Sequence, residues 1–585
     1  MPGLDGLRAL AVAGVVLYHA GAKWLPGGFL GVDVFFALSG YLITSLLLAE
    51  FSRTGKIDLV RFYLGRARRL LPAALLVILL SLLVVALFIP GELASARGDA
   101  IWSTFYLNNW HQILADRSYF EAFGRPSLYQ HLWSLAVEEQ FYLVWPLLLW
   151  FGLTRIGRVR VVAVIVAIAL LSLVLMAILY DPHSDPSRIY YGTDTRAAQL
   201  LFGAMLAFAW PLGRMTGEMG RGAGVVLDGV GVLGLLVLAW AFFGWQDYDR
   251  LVYQGGLAIV ALASVAVIAC LVHPRTRIGR FFGLKPFVWI GQRSYAIYLF
   301  HWPIMALSRP GIDLRWNPTL IAVLQIALTI GLSALSYTYV EMPIRRGQAW
   351  PWLRAKLDRY TPQRRLAVAG GVTVVLLALL VFPFVRHATK EPVPGEGKPL
   401  ATAAATAKSP SADGAKRTPG QVANGPIKVE KQLPPLAVGA SVMLAASPEL
   451  QKVLGPKATI DAAVGRQATD IAARIEAYAL DGALPEEVIV QVGENGPLTK
   501  ADMDRLHADL RGIKKVVFVN VRVPRNWQDE SNAVLKAQTK NWKEATVADW
   551  YDASSNPSIL YDGTHPNPEG QVIYANTVKK ALKSK

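Results

Sequence analysis

Residues 4–20 read LDGLRALAVAGVVLYHA. The run is apolar enough for a membrane helix, yet it carries Arg8 and His19. Eleven residues at 100° each make three turns plus about 20°, so both side chains leave one helix face, about 16 Å apart. An ionisable group at that depth is costly and normally faces a bundle interior or a polar cavity. A snorkelling arginine and a histidine bonded to a neighbouring helix would satisfy the same pattern. The rest of the chain favours a reactive site inside the membrane.

Of the 585 residues, 53% are hydrophobic and 17% charged, a membrane-protein composition. The two ends differ. Residues 1–387 are long apolar runs, 388–432 (KEPVPGEGKPLATAAATAKSPSADGAKRTPG at its start, from 390) are rich in Pro, Ala, Gly and Lys, and 433–585 have a soluble composition. The middle stretch reads as a disordered tether. The one cysteine, Cys270, excludes an internal disulfide. A net charge of +17 does not point to nucleic acid here, because many of the basic residues sit in short loops between apolar runs.

Eleven runs are long enough to cross a bilayer, near 5–22, 30–50, 70–89, 132–151, 160–180, 197–212, 225–244, 252–272, 287–307, 318–340 and 366–385. With the N-terminus inside, cytoplasmic segments hold 23 Lys and Arg and the outer loops before the last span hold nine. That bias predicts a multi-pass plasma-membrane protein with a cytoplasmic N-terminus and an extracytoplasmic C-terminal domain. Nothing near the N-terminus resembles a cleavable signal peptide.

Beyond 433 the pattern is α/β. LAVGAS, EEVIVQVG and KKVVFVNV read as buried parallel strands, and DIAARIEAYAL and KADMDRLHADLRGI as helices between them. Ser441 follows the first strand at a turn. Gly493 and Asn495 end another strand, where a backbone N–H and an amide can meet an oxyanion. Asp562-Gly-Thr-His565 offers a base and the carboxylate that orients it. Each piece alone is ordinary turn or loop chemistry; in this order, at strand ends, they read as a serine acyl-transfer site.

These residues resemble the SGNH hydrolases. The resemblance implies Ser441 as nucleophile, Gly465 and Asn495 as oxyanion residues, and Asp562 and His565 as the rest of a triad. Gly439-Ala440-Ser441 departs from that family's Gly-Asp-Ser. VNVRVPRNW (519–527) and VADWYDASS…YDGTHPNPEG resemble the outer domain of OatA-type peptidoglycan O-acetyltransferases. The membrane half is similar to the acyltransferase-3 family, on six motifs in order: LDGLRALAVAGVVLYH, GGFLGVDVFFALSGYLIT, RFYLGRARRLLP, HLWSLAVEEQFYLVWP, TDTRAAQLLFGA and SYAIYLFHWP.

The expected fold is therefore a polytopic helical bundle, a flexible linker and an SGNH-like α/β domain. The resemblance implies acetyl-CoA as acyl donor and a cell-surface glycan as acceptor, foremost the C6 hydroxyl of N-acetylmuramic acid in peptidoglycan. Arg66 and Arg69, at i and i+3, share a helix face that can bind phosphates. Glu138 or Glu139 is expected to reach His19 and fix its tautomer. His19, Glu138 and Glu139 are the expected catalytic groups, with Arg8, Arg66, Arg69, Arg196 and His301 binding substrate or cofactor. Tyr191, beside TDTR, could carry or relay the acyl group, but reads better as an interfacial tyrosine. No metal motif is evident. Two alternatives stay open: another surface polysaccharide such as lipopolysaccharide O-antigen as acceptor, or a transporter with a non-catalytic glycan-binding outer domain.

Overall fold

The apolar runs become helices. In the computed structural model they are α1 (Pro2–His19), α2 (Gly31–Thr54), α3 (Leu59–Phe88), α4 (Leu132–Arg155), α5 (Arg158–Leu179), α6 (Thr193–Ala209), α7 (Arg221–Gly244), α8 (Leu257–Val272), α9 (Ser294–Leu307) and α10 (Pro318–Ser336). The structure describes residues 1–115, 117–120, 125–181, 185–211, 221–273, 276–310, 313–314, 316–347, 433–525, 527–561 and 563–584. The expected span at 366–385, the tether at 388–432, the domain boundaries around it and Asp562 lie outside the described residues. The expected span at 287–307 is divided, since Lys285–Gln292 and α9 meet at Arg293.

Among the described residues, six helices are long and apolar enough to cross a membrane. They cover α2, α3, α5, α7, α8 and α10. The four that fall short are α1, α4, α6 and α9, which carry Arg8 and His19, Glu138 and Glu139, Arg196, and His301. Polar residues and shorter helices lower the very measure that detects spans. The outer face of α5 leaves Ile168, Leu171, Val174 and Ile178 exposed, as a lipid-facing helix must. Inside, α2 and α6 pack backbone to backbone: a Cβ at Gly40 would collide with the Leu200 carbonyl, and one at Gly203 with the Ala37 carbonyl. Small residues permit that approach, which dispersion then stabilises in place of a hydrophobic force.

The C-terminal part is a separate compact unit. Five parallel strands, β1 (Leu436–Gly439), β2 (Thr459–Ala462), β3 (Glu487–Gln491), β4 (Lys515–Val519) and β5 (Ala545–Ala548), form a sheet in the order β2-β1-β3-β4-β5. Val488, Val490, Val516 and Phe518 feed the core on one face; Ala437, Ile489, Val517 and Val519 feed the other. Strand alternation thus builds two cores, each covered by helices. The helices include α11 (Ser441–Leu454), α12 (Ala468–Leu480), α13 (Lys500–Asp509), α14 (Gln528–Thr539) and α15 (Pro568–Lys583). The chain leaves β1 in one direction for β2 and returns past it to β3. A switch point of this kind opens a crevice at the C-terminal strand ends, between β1 and β3.

Candidate functional site

Two polar centres stand out, one in each unit. In the helical unit His19, at the end of α1, meets His301 of α9, with Nδ1 of His19 3.0 Å from Nε2 of His301. The other His19 nitrogen, Nε2, is 3.0 Å from the Tyr119 hydroxyl. The tautomers follow. His301 Nδ1 lies 2.6 Å from the Tyr298 carbonyl, which can only accept, so Nδ1 carries the proton. In neutral rings His301 Nε2 then accepts from His19 Nδ1, and the lone pair of His19 Nε2 faces the Tyr119 hydroxyl. His131 completes a histidine cluster, its ring centroid 5.4 Å from that of His301.

Tyr298 forms a wall of this centre. Its ring packs against His131 and His301. Its hydroxyl donates to the His131 carbonyl at 2.7 Å and lies 2.6 Å from Ser134 Oγ. On the far side, Ser134 and Tyr298 line a small cavity of about 50 Å³ together with Arg8, Arg66, Glu138 and Tyr142. There Glu138 accepts from Ser39 at 2.9 Å and from Tyr142 at 2.8 Å. Arg66 lies over the Tyr142 ring at 4.7 Å. Arg8 and Arg69 also line a larger cavity of about 560 Å³ with Arg345, Arg346 and Glu341. A third, of about 640 Å³, is lined by Arg53, Arg61, Arg66 and Arg69 among others. This end of the bundle presents an arginine-rich mouth suited to a polyanion.

Arg196 of α6 and Asp33 of α2 form a fully buried ion pair at 2.9 Å. The guanidinium also lies over the Phe36, Trp133 and Tyr190 rings at 5.5, 5.7 and 4.9 Å. Tyr119 touches Tyr190 and Trp133 in turn, joining this pair to the histidines through stacked rings.

In the α/β unit Ser441 is the first residue of α11, directly after β1, so its hydroxyl stands at the crevice. His565 Nε2 lies 2.8 Å from Ser441 Oγ, a nucleophile–base distance. Asn495 follows β3 and donates one amide hydrogen to the Arg466 carbonyl at 3.1 Å, leaving its second for an oxyanion. Gly465 and Gly493 adopt φ of +76° and +102°, which only glycine takes without strain. The Gly465–Arg466 loop is tied down by Asp461, which takes Arg466 and Arg474 at 2.6 Å each and the Tyr478 hydroxyl at 3.1 Å. Burial opposes ionisation of Asp461, but the two guanidinium groups overcome it and hold the carboxyl below its usual range. Beside Asn495, burial pushes the Glu494 carboxyl up to about 8.

The acyltransferase-domain model of the acyltransferase-3 family matches residues 1–338, more than half of the chain. The chain belongs to that family. It is 37% identical over 610 residues to the peptidoglycan O-acetyltransferase OatA of Listeria monocytogenes, covering 98% of this chain and 97% of that protein. It is 36% identical over 593 residues to the O-acetyltransferase OatA of Staphylococcus aureus, covering 100% and 96%. A solved structure of the C-terminal catalytic domain of Streptococcus pneumoniae peptidoglycan O-acetyltransferase A, with a methylsulfonyl adduct, aligns over 26% of this chain and 94% of that one. The identity there is 23% and the TM-score 0.25. This acyltransferase is thus a multi-pass membrane O-acetyltransferase with an added α/β domain.

Against the sequence reading of this acyltransferase, the structure joins Ser441 with His565, and Gly465 with Asn495 through the neighbouring Arg466. It joins His19 with His301, and Arg8, Arg66 and Arg69 around shared cavities. One expectation is corrected. Neither Glu138 nor Glu139 bonds His19, because Ser39 and Tyr142 hold the Glu138 carboxylate and the tautomer of His19 is set by His301. Arg196 sits apart from the arginine-rich mouth, locked on Asp33. Tyr191 is buried, its hydroxyl accepting from Gln130 at 3.2 Å. Sequence reasoning missed Tyr119, His131 and Tyr298 as partners of His19 and His301. His131 and Tyr298 lie in quoted motifs, whereas Tyr119 carries no signal.

Proposed function

We propose that this acyltransferase moves acetyl from cytoplasmic acetyl-CoA, through the membrane bundle, to a hydroxyl of peptidoglycan, with Ser441 as the last acyl carrier. The N-terminus is cytoplasmic and the domain beyond 433 extracytoplasmic. The arginine-rich mouth holds the coenzyme phosphates by charge-assisted bonds. His19 Nε2, the unprotonated nitrogen of the His19–His301 pair, takes the proton of the hydroxyl that attacks the thioester in the bundle and returns it to the departing coenzyme thiolate. In the outer domain Ser441 Oγ attacks the acetyl carbonyl while His565 Nε2 takes its proton. Asn495 and the Gly465 loop hold the oxyanion, and the donor leaves with the returned proton. The glycan hydroxyl, foremost the C6 hydroxyl of N-acetylmuramic acid, then repeats the sequence in reverse and releases Ser441.

The observation that carries this reading is the 2.8 Å Ser441–His565 pair at the switch-point crevice, in a chain alignable end to end with peptidoglycan O-acetyltransferases. A glycan-binding outer domain on a transporter has no use for that pair. Base-released acetate from cell walls tests the acceptor: it should fall to background in cells lacking the gene and return with wild-type protein but not with Ser441→Ala. Unchanged wall acetate with loss of acetate from another surface polymer would shift the acceptor.

A further inference from the structure

The cavity behind Tyr298 is narrow where the arginine-lined ones are wide. It encloses about 50 Å³, against about 560 and 640 Å³ for the other two. Arg69 lines all three, so the narrow cavity adjoins the arginine-rich mouth. Helix direction orders its lining. The Tyr142 hydroxyl of α4 donates to Ser39 Oγ of α2 at 2.8 Å, and Trp145 Nε1, further along α4, donates to Thr44 Oγ1, further along α2, at 2.9 Å. The two helices therefore run side by side in the same sense. Tyr142, Glu138 and Ser39 lie at one level, next to Arg66, whose guanidinium covers the Tyr142 ring.

Phe35 and Val32 come about one and two turns before Ser39 on α2, and Leu135 and Ser134 about one turn before Glu138 on α4. With Tyr298 they close the end of the cavity away from Arg66 and Arg69. Beyond the Tyr298 ring stand the rings of His131 and His301. Phe35 and Leu135 are only partly buried, although each is flanked in sequence by buried residues, Val34 and Phe36 for the one and Ser134 and Ala136 for the other. The surface they retain faces the cavity. An apolar cavity of about 150 Å³ admits the six carbons of benzene, and on that scale about 50 Å³ takes about two.

We infer that Phe35 and Leu135 form the acyl-size filter of this acyltransferase, admitting a two-carbon acyl group and rejecting longer ones before they reach His19. This rests on the coenzyme A thioester reading above and adds to it what selects the acyl group. The coenzyme body needs the wider cavities; its acyl end is the part small enough for the narrow one. A third acyl carbon has to push into Phe35 or Leu135. The wall has little freedom to yield, because α2 is held backbone to backbone on α6 at Gly40 and Gly203, and overpacking such a contact is costly. One methylene too many in an apolar pocket of this kind costs about tenfold to two-hundredfold in rate.

The test uses the full-length protein in detergent with acetyl-, propionyl- and butyryl-coenzyme A, and measures release of the free coenzyme thiol in a single turnover. The propionyl-to-acetyl rate ratio is the readout, because loss of folded protein lowers both rates and leaves their ratio unchanged. Wild-type protein should use propionyl-coenzyme A about tenfold to two-hundredfold less well than acetyl-coenzyme A, and butyryl-coenzyme A less well again. Leu135→Ala, which takes three carbons from the wall, should raise the ratio about tenfold or more, and Phe35→Leu should raise it by less. Leu135→Phe should slow the acetyl thioester itself while coenzyme A, titrated by calorimetry, still binds with wild-type affinity. A wild type that uses butyryl-coenzyme A as well as acetyl-coenzyme A, or a ratio that neither Leu135→Ala nor Phe35→Leu shifts, overturns the filter and leaves the donor standing. Release of thiol from none of the three thioesters by the wild type overturns the donor reading, and the filter with it.

Discussion

Glu494→Gln should stabilise the outer domain, by an amount that depends on pH. Glu494 is 2% exposed, and both its carboxylate oxygens lack a hydrogen-bond partner among the described residues. Burial raises the carboxyl from an ordinary 4.5 to about 8. In the unfolded chain it ionises near 4.5, so above that pH the folded state binds the extra proton and stability falls as pH rises. The loss is complete at about 8. At pH 7 the gap is about 2.5 pH units at about 1.4 kcal/mol each, or about 3 kcal/mol. Glutamine is neutral and near-isosteric, so it removes the buried charge without opening a cavity. We expect a gain of about 2–3 kcal/mol at pH 7, a Tm rise of about 6–10 °C, and no gain at pH 4. Thermal and urea unfolding of residues 433–585 from pH 4 to 8 measure this. A difference between the proteins that does not grow with pH, or a less stable Glu494→Gln at pH 8, refutes the assignment.

Ser441→Ala and His565→Ala should each abolish acyl-enzyme formation from an aryl acetate, and the double variant should lose no more than either, because the pair acts as a unit; single-turnover kinetics decide. Glu138→Gln should reduce acetyl transfer more than Glu139→Gln, since Glu138 holds Ser39 and Tyr142 in the small cavity; wall acetate in complemented cells reports it. Arg196→Leu leaves Asp33 buried without its cation and should destabilise the bundle by about 3–5 kcal/mol, seen as loss of monodisperse protein in detergent, with Asp33→Leu/Arg196→Leu recovering much of it.

Much of this architecture is legible in the chain, for identifiable reasons. Long apolar runs declare helices whatever they pack against, so ten expected spans are helical in the structure. β1, β3 and β4 are apolar runs too strong to miss, whereas TIDA and ATVA, which form β2 and β5 at the two sheet edges, are short and partly polar. Ser441 and His565 were readable because each sits at a strand or loop end with a local signature. The partners of His19 were not. A helix face points towards several neighbours, and the sequence does not say that His301 stands where a carboxylate was expected. Tyr119 lies in a connection without periodicity, so only the tertiary fold brings its hydroxyl to His19 Nε2.

The central claim is that acetyl passes from the bundle centre at His19 to Ser441. Full-length protein incubated with isotopically labelled acetyl-CoA and no glycan, then digested and mapped by mass spectrometry, tests it most directly. The account predicts labelled acetyl on the peptide containing Ser441 in the wild type, and none there in His19→Ala or Ser441→Ala. Label on Ser441 in His19→Ala, or full wall acetylation in cells carrying only Ser441→Ala, would contradict it.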